Sequence, residues 1–204
     1  MSSAIRVPAV SLVVTLATAA IAAAQGMRTQ FGLGASLTVP TYDFHADASG
    51  EGFNAGWQGM LLVDLKPRSS PVGFRFDGTY GQNGGNDQLN ADLTAFVGAP
   101  TTAKMKTLGG TANVTYTFHA STGGLGGYLL GGIGVYNVKL AITSGNTTAD
   151  SSETKFAWDV GGGMTSRVGR AALFFEARYF QVAQAFGGFR MTFLPITAGV
   201  RLGV

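Results

Sequence analysis

The chain has 204 residues, of which 31 are glycine and none is cysteine, and its 14 Lys and Arg residues stand against 11 Asp and Glu residues. This length is typical of a single domain, and the lack of cysteine excludes disulfides and thiolate metal sites. The basic residues are dispersed along the sequence, so the composition does not predict nucleic acid as a partner.

The first 24 residues have the composition of an export signal. Arg6 is their only charged residue, a stretch rich in Ala and Thr follows it, and Ala22 and Ala24 occupy the small-residue positions of a cleavage site before Gln25. This pattern predicts a signal peptide at 1–24 and a mature domain at 25–204. The alternative is a single membrane-anchor helix, which the length would permit.

Eight segments that alternate between apolar and polar residues follow, which is the period of β-strands. We expect the first six at about 28–39, 54–66, 72–82, 107–118, 125–142 and 155–167, and the last two from Ala172 and from Leu194. In the fifth segment both faces are apolar around Gly131 and Gly132. There we favour an outer face made of Tyr128, Leu130, Tyr136, Val138 and Leu140.

The connections between these segments alternate in length. Short turns follow strands two, four and six, and longer polar loops are expected after strands one, three, five and seven. In bacterial barrels the short turns are periplasmic and the long loops are external. Both chain termini are therefore predicted to lie in the periplasm.

The aromatic residues of the apolar faces fall into two bands. With the orientation above, the periplasmic band is Phe31, Phe74, Phe118, Tyr128 and Phe175, and the external band is Trp57, Tyr80, Tyr136, Trp158 and Tyr179. Two aromatic girdles are typical of a barrel in a membrane. The sequence thus predicts an all-β, eight-stranded antiparallel up-and-down transmembrane β-barrel. A soluble lipocalin-like barrel, with its apolar face inside, is the main alternative.

Two C-terminal motifs carry a family resemblance. The block Glu176 to Tyr179 and the ending Leu194 to Leu202, behind a signal peptide and alternating strands, resemble the small OmpA/OmpX-type barrels grouped as the outer-membrane β-barrel domain. The resemblance implies outer-membrane lipid as the surroundings and the barrel-assembly machinery as a partner of the C-terminal strand. Members of that family usually end on an aromatic residue. Val204 departs from this, so we expect slower or less strict recognition.

Charged residues lie on the inward faces of the predicted strands. They are Asp64, Arg75, Asp77, Asp159, Arg167, Glu176, Arg178 and Arg201. Because the interior of an eight-stranded barrel is only wide enough to be filled by side chains, we expect these groups to form a structural plug of salt bridges. A proton or ion path is the alternative.

Catalytic and metal-binding patterns find little support. The two histidines are His45 and His119, and no complete nucleotide-binding glycine motif occurs. The pair His119 and Ser121 resembles the His-x-Ser pair of lipid A deacylase barrels, but lies at a predicted periplasmic turn. His45 between Asp43 and Asp47 could hold a metal weakly, although such loop residues are usually solvated. No catalytic, cofactor or metal site is predicted.

The segment between Gln82 and Ala103 is the most informative predicted loop. Leu89, Leu93, Phe96 and Val97 recur at helical spacing after Asn86, which is a good helix N-cap. A short helix over the barrel mouth and an apolar patch for a partner are alternatives to the favoured interpretation, a loop folded on its own rim. The function predicted is a non-enzymatic barrel of structural or surface-interaction type with a ligand site, if any, on the external loops. The alternatives are an OmpW-type channel for small solutes or hydrophobic compounds and, behind it, a lipid-modifying enzyme.

Overall fold

The computed structural model describes residues 26–46, 48–119, 124–185 and 189–203. The predicted signal peptide and Val204 lie outside these ranges. Eight strands account for most of the described chain: β1 (Met27–Thr41), β2 (Gly56–Pro67), β3 (Val72–Gly84), β4 (Thr101–His119), β5 (Leu125–Ser144), β6 (Thr147–Val168), β7 (Ala171–Ala185) and β8 (Phe189–Gly203).

The strands form one closed barrel. Each pairs antiparallel with its neighbour in sequence, and β1 closes the ring against β8 with Phe31 opposite Leu202 and Leu37 opposite Ile196. The prediction of an eight-stranded antiparallel up-and-down barrel is therefore confirmed. The remaining elements are a 3₁₀ turn (Tyr42–Phe44) and one helix, α1 (Asp87–Val97). Within the described residues, no helix is long and apolar enough to cross a membrane.

The apolar side of most strands faces out of the barrel. In β4, Val114 is 52% exposed and its neighbour Asn113 is 2% exposed, and the same alternation runs along β1, β3, β7 and β8. Successive side chains of a strand point to opposite sides, so each strand carries an apolar outer row and a mostly polar inner row. A soluble barrel has the opposite arrangement, which excludes the lipocalin-like alternative.

The inner and outer faces of β5 are reversed relative to our expectation. Tyr128, Leu130, Tyr136 and Val138 are buried and Leu140 packs against the buried core, whereas Leu129, Ile133 and Val135 are exposed. Since both faces of β5 are apolar, alternation alone does not distinguish them. Glycines on the adjacent strands distinguish the two faces. A Cβ at Gly109 would lie 2.5 Å from Tyr136 Cγ, and one at Gly163 would lie 2.6 Å from the Tyr128 hydroxyl. These glycines leave room for both rings inside.

The two ends of the barrel differ in their connections. The loop end carries the segments 42–55 and 85–100, and the turn end carries the short connections after β2, β4 and β6. The connections after strands five and seven, which we expected to be long, are short. Gly145 and Asn146 alone join β5 to β6, and only 186–188 separate β7 from β8.

The segment expected as a loop after strand five is an extension of the sheet. Ser144 pairs with Thr147, so β5 and β6 form a hairpin that runs beyond the start of β2 and the end of β3 at the loop end. The segment 147–154 is polar, which led us to expect a loop, but its threonines favour strand conformation because β-branched side chains fit a pleated surface.

Helix α1 lies on the rim at the loop end. The Asn86 side chain accepts a hydrogen bond from Leu89 N at 2.9 Å, and Gly98 ends the helix in the left-handed conformation with φ +75°. Asn90 accepts from Ala103 N at 2.9 Å, and the Thr94 hydroxyl accepts from Thr101 N at 3.0 Å. These side chains fix α1 to the first residues of β4, so the helical alternative for this segment is realised.

Candidate functional site

A network of charged side chains fills the middle of the barrel. Arg75 Nε donates to Asp77 at 2.7 Å, and Arg75 Nη1 donates to Glu176 at 2.6 Å. Arg178 donates to Glu176 and to Asp159, both at 2.6 Å, and lies 2.8 Å from Asp77. All five residues are at most 5% exposed, and three strands supply them. We call these five residues the charged network.

Neutral groups complete the charged network. Tyr128 donates its hydroxyl proton to Glu176 at 2.6 Å, and Asn113 donates to Asp77 at 3.0 Å. The Met60 sulfur lies 3.5 Å from Arg75 Nη2. Buried ions are tolerated when opposite charges and hydrogen bonds surround them, and Glu176 with three donors meets this condition. These contacts hold the side chains against one another, while Asp159 Oδ1 and Asn113 Oδ1 have no hydrogen-bond partner among the described residues.

An apolar cluster closes the barrel between the charged network and the loop end. Ten buried residues form this apolar plug: Phe44, Phe53, Met105, Tyr136, Val138, Ala157, Phe180, Val182, Met191 and Phe193. Phe44 from the 3₁₀ turn lies 5.1 Å from Phe53 and 6.2 Å from Phe193, measured between ring centroids. The loop after β1 therefore folds into the barrel mouth, and α1 adds Leu89 from above.

The layers of the interior can be followed along β7. Its buried residues, in order from the turn end, are Phe174, Glu176, Arg178, Phe180 and Val182. Phe174 packs with Met60 and Leu62 below the charged network, and Phe180 and Val182 belong to the apolar plug. One strand thus passes through an apolar layer, a charged layer and a second apolar layer.

The remaining predicted interior charges lie near the turn end. Arg201 Nη1 is 3.1 Å from Asp64 Oδ2, and both side chains are largely buried. Arg167 was expected among the interior salt bridges, but it is exposed and lines a cavity of about 370 Å³ that opens at the turn end. It has the inward parity of Asp159, but it lies at the end of β6, where the wall stops, so its long side chain reaches solvent.

The aromatic residues of the outer surface form bands near both ends. Phe31, Phe74, Phe118 and Phe175 are 51–52% exposed toward the turn end. Toward the loop end, Trp57 lies 5.7 Å from Tyr80 and Trp158 lies 5.4 Å from Tyr179, between ring centroids. Tyr128 and Tyr136, which we had assigned to these bands, are interior residues. Their hydroxyls bond to Glu176 and to Thr79.

The parts of the interior that have no alternating pattern could not be recognised from the sequence. Phe44 and Phe53 come from a loop, and no periodicity marks a loop residue as buried. Tyr128 and Tyr136 could have been placed inside from the glycines opposite and next to them, because a strand rich in glycine makes space for a neighbour's ring. The hydrogen bond from Asn113 to Asp77 could not be predicted either, because it depends on the register between strands.

The other residues considered for chemistry do not come together. His45 is exposed, Asp47 and Ser121 lie outside the described residues, and the side chain of His119 is likewise outside them. Across the described part of the chain, no group of three or more His, Cys, Asp or Glu side chains could hold a metal ion.

Solved structures share this fold at low identity. Neisserial surface protein A is 16% identical, with a TM-score of 0.53 over 87% of this chain and 97% of that chain. Ail of Yersinia pestis, solved with the heparin analogue sucrose octasulfate, is 12% identical, with a TM-score of 0.54 over 87% and 100%. A major outer membrane protein of Thermus thermophilus is 10% identical, with a TM-score of 0.63 over 88% and 100%.

Sequence comparison gives a family but no individual relative. No curated protein sequence matches this chain significantly. The sequence model of one protein family, the outer membrane protein β-barrel domain, matches residues 9–201. This range is nearly the whole chain and includes every described strand except the end of β8. The closed barrel, its outward apolar rows and this match agree, and the chain therefore belongs to the outer membrane protein β-barrel domain family and is an integral outer-membrane barrel.

Proposed function

We propose that this protein is a closed, non-conducting barrel that holds a binding surface at its loop end outside the cell. The filled interior is the observation that carries the proposal. The charged network and the apolar plug follow one another along the axis, and each uses side chains from several strands. A small-solute or hydrophobic-compound channel of the OmpW type needs a path that these side chains occupy.

The orientation follows from the connections. Short connections face the periplasm in bacterial barrels, so we place the turn end, Met27 and Gly203 in the periplasm and the loop end outside. The C-terminal strand β8 keeps an outward apolar row that ends with Val200 and Leu202. This row is what we propose the barrel-assembly machinery binds during insertion.

The surface offered at the loop end is polar with apolar and basic patches. The β5–β6 hairpin exposes the residues 145–152, and Phe96 on α1 is 90% exposed. Three lysines, Lys104, Lys106 and Lys139, share the outer face, and Lys106 lies opposite Lys139. Lys139 forms an ion pair with a carboxylate of the hairpin, so the other two lysines are the ones that support an anionic external partner. Ail was solved with a sulfated sugar, so sucrose octasulfate is a suitable first probe.

Solute uptake tests the closed interior. Proteoliposomes containing the protein should not swell in isosmotic arabinose solution. The double variant Phe44→Ala/Phe53→Ala should not swell either, because the charged network remains below the removed rings. Swelling with the unchanged protein would support the channel alternative instead.

Epitope tags test the orientation. A tag inserted between Gly145 and Asn146 should bind antibody on intact cells, because this turn is the tip of the extended hairpin. A matched tag between Ser69 and Ser70, in the connection after β2, should bind only after the outer membrane is permeabilised. The reverse pattern would contradict the proposed external surface.

A further inference from the structure

The cavity at the turn end is strongly cationic. Five basic side chains line it, namely Arg28, Lys66, Arg68, Arg167 and Arg201. Among the described residues of its wall, Asp64 is the only carboxylate. The volume of about 370 Å³ is within the range of small-ligand sites. An excess of like charge around a concave site attracts an anion, since the low-dielectric walls focus the field.

Two of the cations are held against each other by the fold. Arg28 on β1 is directly opposite Lys66 on β2, and both belong to the inward rows of their strands. Like charges in directly opposite positions of a sheet destabilise it. No carboxylate of the described chain lies within ion-pair distance of either side chain. A bound anion between them would convert this repulsion into attraction.

Arg201 provides a prepared donor in the cavity wall. Its side chain is largely buried, and its guanidinium lies between the rings of Tyr128 and Phe174, 4.6 Å from each centroid. Its contact with Asp64 is an ion pair at 3.1 Å without hydrogen-bond geometry. Arg201 Nε and Nη2 have no hydrogen-bond partner among the described residues. Both nitrogens are buried, so an anion in the cavity would reach them only after the guanidinium turns toward the cavity.

We propose that this cavity is a binding site for a phosphate group, with Arg201 as the bidentate donor and Arg28, Lys66 and Arg167 as the surrounding positive charge. A guanidinium fork matches two oxygens of a phosphate, and the additional cations suit its second charge. The site is independent of the loop-end surface. With the turn end in the periplasm, the phosphate comes from a soluble periplasmic phosphate compound or from the headgroup of an inner-leaflet phospholipid.

Calorimetric titration of the refolded barrel in a neutral detergent tests the site, with inorganic pyrophosphate as the probe. We expect saturable binding to one site, which weakens as salt is added because the contacts are ionic. The double variant Arg28→Gln/Arg167→Gln should bind at least about tenfold more weakly, since it removes two of the surrounding charges. These two residues are exposed, so the variant should fold even if Arg201→Gln does not. The matched control Arg190→Gln removes an exposed arginine at the loop end and should bind as the unchanged protein does.

A second variant gives a change of opposite sign. Asp64→Asn removes the carboxylate that competes for Arg201, so pyrophosphate should bind more tightly. The proposal would be overturned if no saturable binding were found. It would also be overturned if Arg190→Gln weakened binding as much as Arg28→Gln/Arg167→Gln does, or if Asp64→Asn bound pyrophosphate more weakly. In nanodiscs, phosphatidylglycerol that competes with pyrophosphate would identify a lipid headgroup as the source. If pyrophosphate binds equally well in phosphatidylglycerol and in phosphatidylcholine nanodiscs, the source is a soluble phosphate compound.

Discussion

At the scale of single residues, Glu176 links the two arginines of the charged network. Its two oxygens accept hydrogen bonds from Arg75, Arg178 and the hydroxyl of Tyr128. The sequence predicted that Glu176 and Arg178 share a face, because they are two residues apart on one strand. It did not predict Tyr128 as a partner, because that contact depends on the register of β5, which its two apolar faces leave open.

Removing the carboxylate of Glu176 should destabilise the barrel strongly. Glu176→Ala removes the acceptor of three buried donors, on Arg75, Arg178 and Tyr128, for which we expect a loss of about 3–5 kcal/mol in the free energy of unfolding. Thr147→Ala, on the exposed hairpin, should change this free energy by less than about 0.5 kcal/mol. Urea titration in detergent micelles measures both variants. Equal effects would show that Glu176 does not occupy a buried site.

The charge balance of the network predicts an asymmetry between its members. Two arginines face three carboxylates, so the network holds one more negative than positive charge. Arg178→Gln should therefore cost several kcal/mol, because it leaves three carboxylates with one cation. Asp159→Asn keeps the shape and removes the surplus charge, so its cost should be much smaller. Similar losses in urea titrations of the two variants would contradict this view of the network.

At the scale of elements, strand position was predictable and strand length was not. Alternation located the strands because most of them have one apolar face and one mostly polar face. It failed at β5, where both faces are apolar, and at the hairpin after it, where polar threonines continue the sheet. Helix α1 was only one of several alternatives for its segment. Its N-cap and apolar spacing can be read from the local sequence, but its hydrogen bonds to β4 depend on the tertiary fold.

Glycines opposite the inward tyrosines should control the register of β5. Gly109→Ala would put a methyl group 2.5 Å from Tyr136 Cγ and 2.4 Å from the Val135 carbonyl oxygen, so this backbone must shift. We expect a loss of about 1–3 kcal/mol, as for other overpacked sites. Gly78→Ala is the matched control, because nothing lies within 4 Å of its added Cβ. Urea titration of the two variants should separate them clearly, and equal stability would contradict the inward placement of Tyr136.

At the scale of the whole molecule, the outward apolar rows and the filled interior have one origin. The inward rows in the middle of an eight-stranded barrel must fill a narrow space, so the charged groups there form mutually paired sets. The sequence indicated which charges lie inside but not which pairs form, since pairing is set by the stagger between strands. The apolar plug could not be predicted, because Phe44 and Phe53 reach it from a loop.

Export should remove the segment before the barrel. Ala22 and Ala24 fit the cleavage pattern, so protein purified from outer membranes should begin at Gln25. N-terminal sequencing determines this directly, and Ala24→Asp should slow processing and leave a larger precursor. An unprocessed Met1 on the membrane-purified protein would instead favour the anchor helix.

The closed interior is the central claim, and the recording of single-channel currents in planar bilayers tests it most directly. Ion currents detect even a narrow path that sugars cannot use, so the measurement also covers the ion-path alternative. With the charged network paired and the apolar plug above it, the refolded protein should show no steady conductance at either polarity. A well-defined open state that persists in the unchanged protein, with a reproducible conductance, would contradict the account.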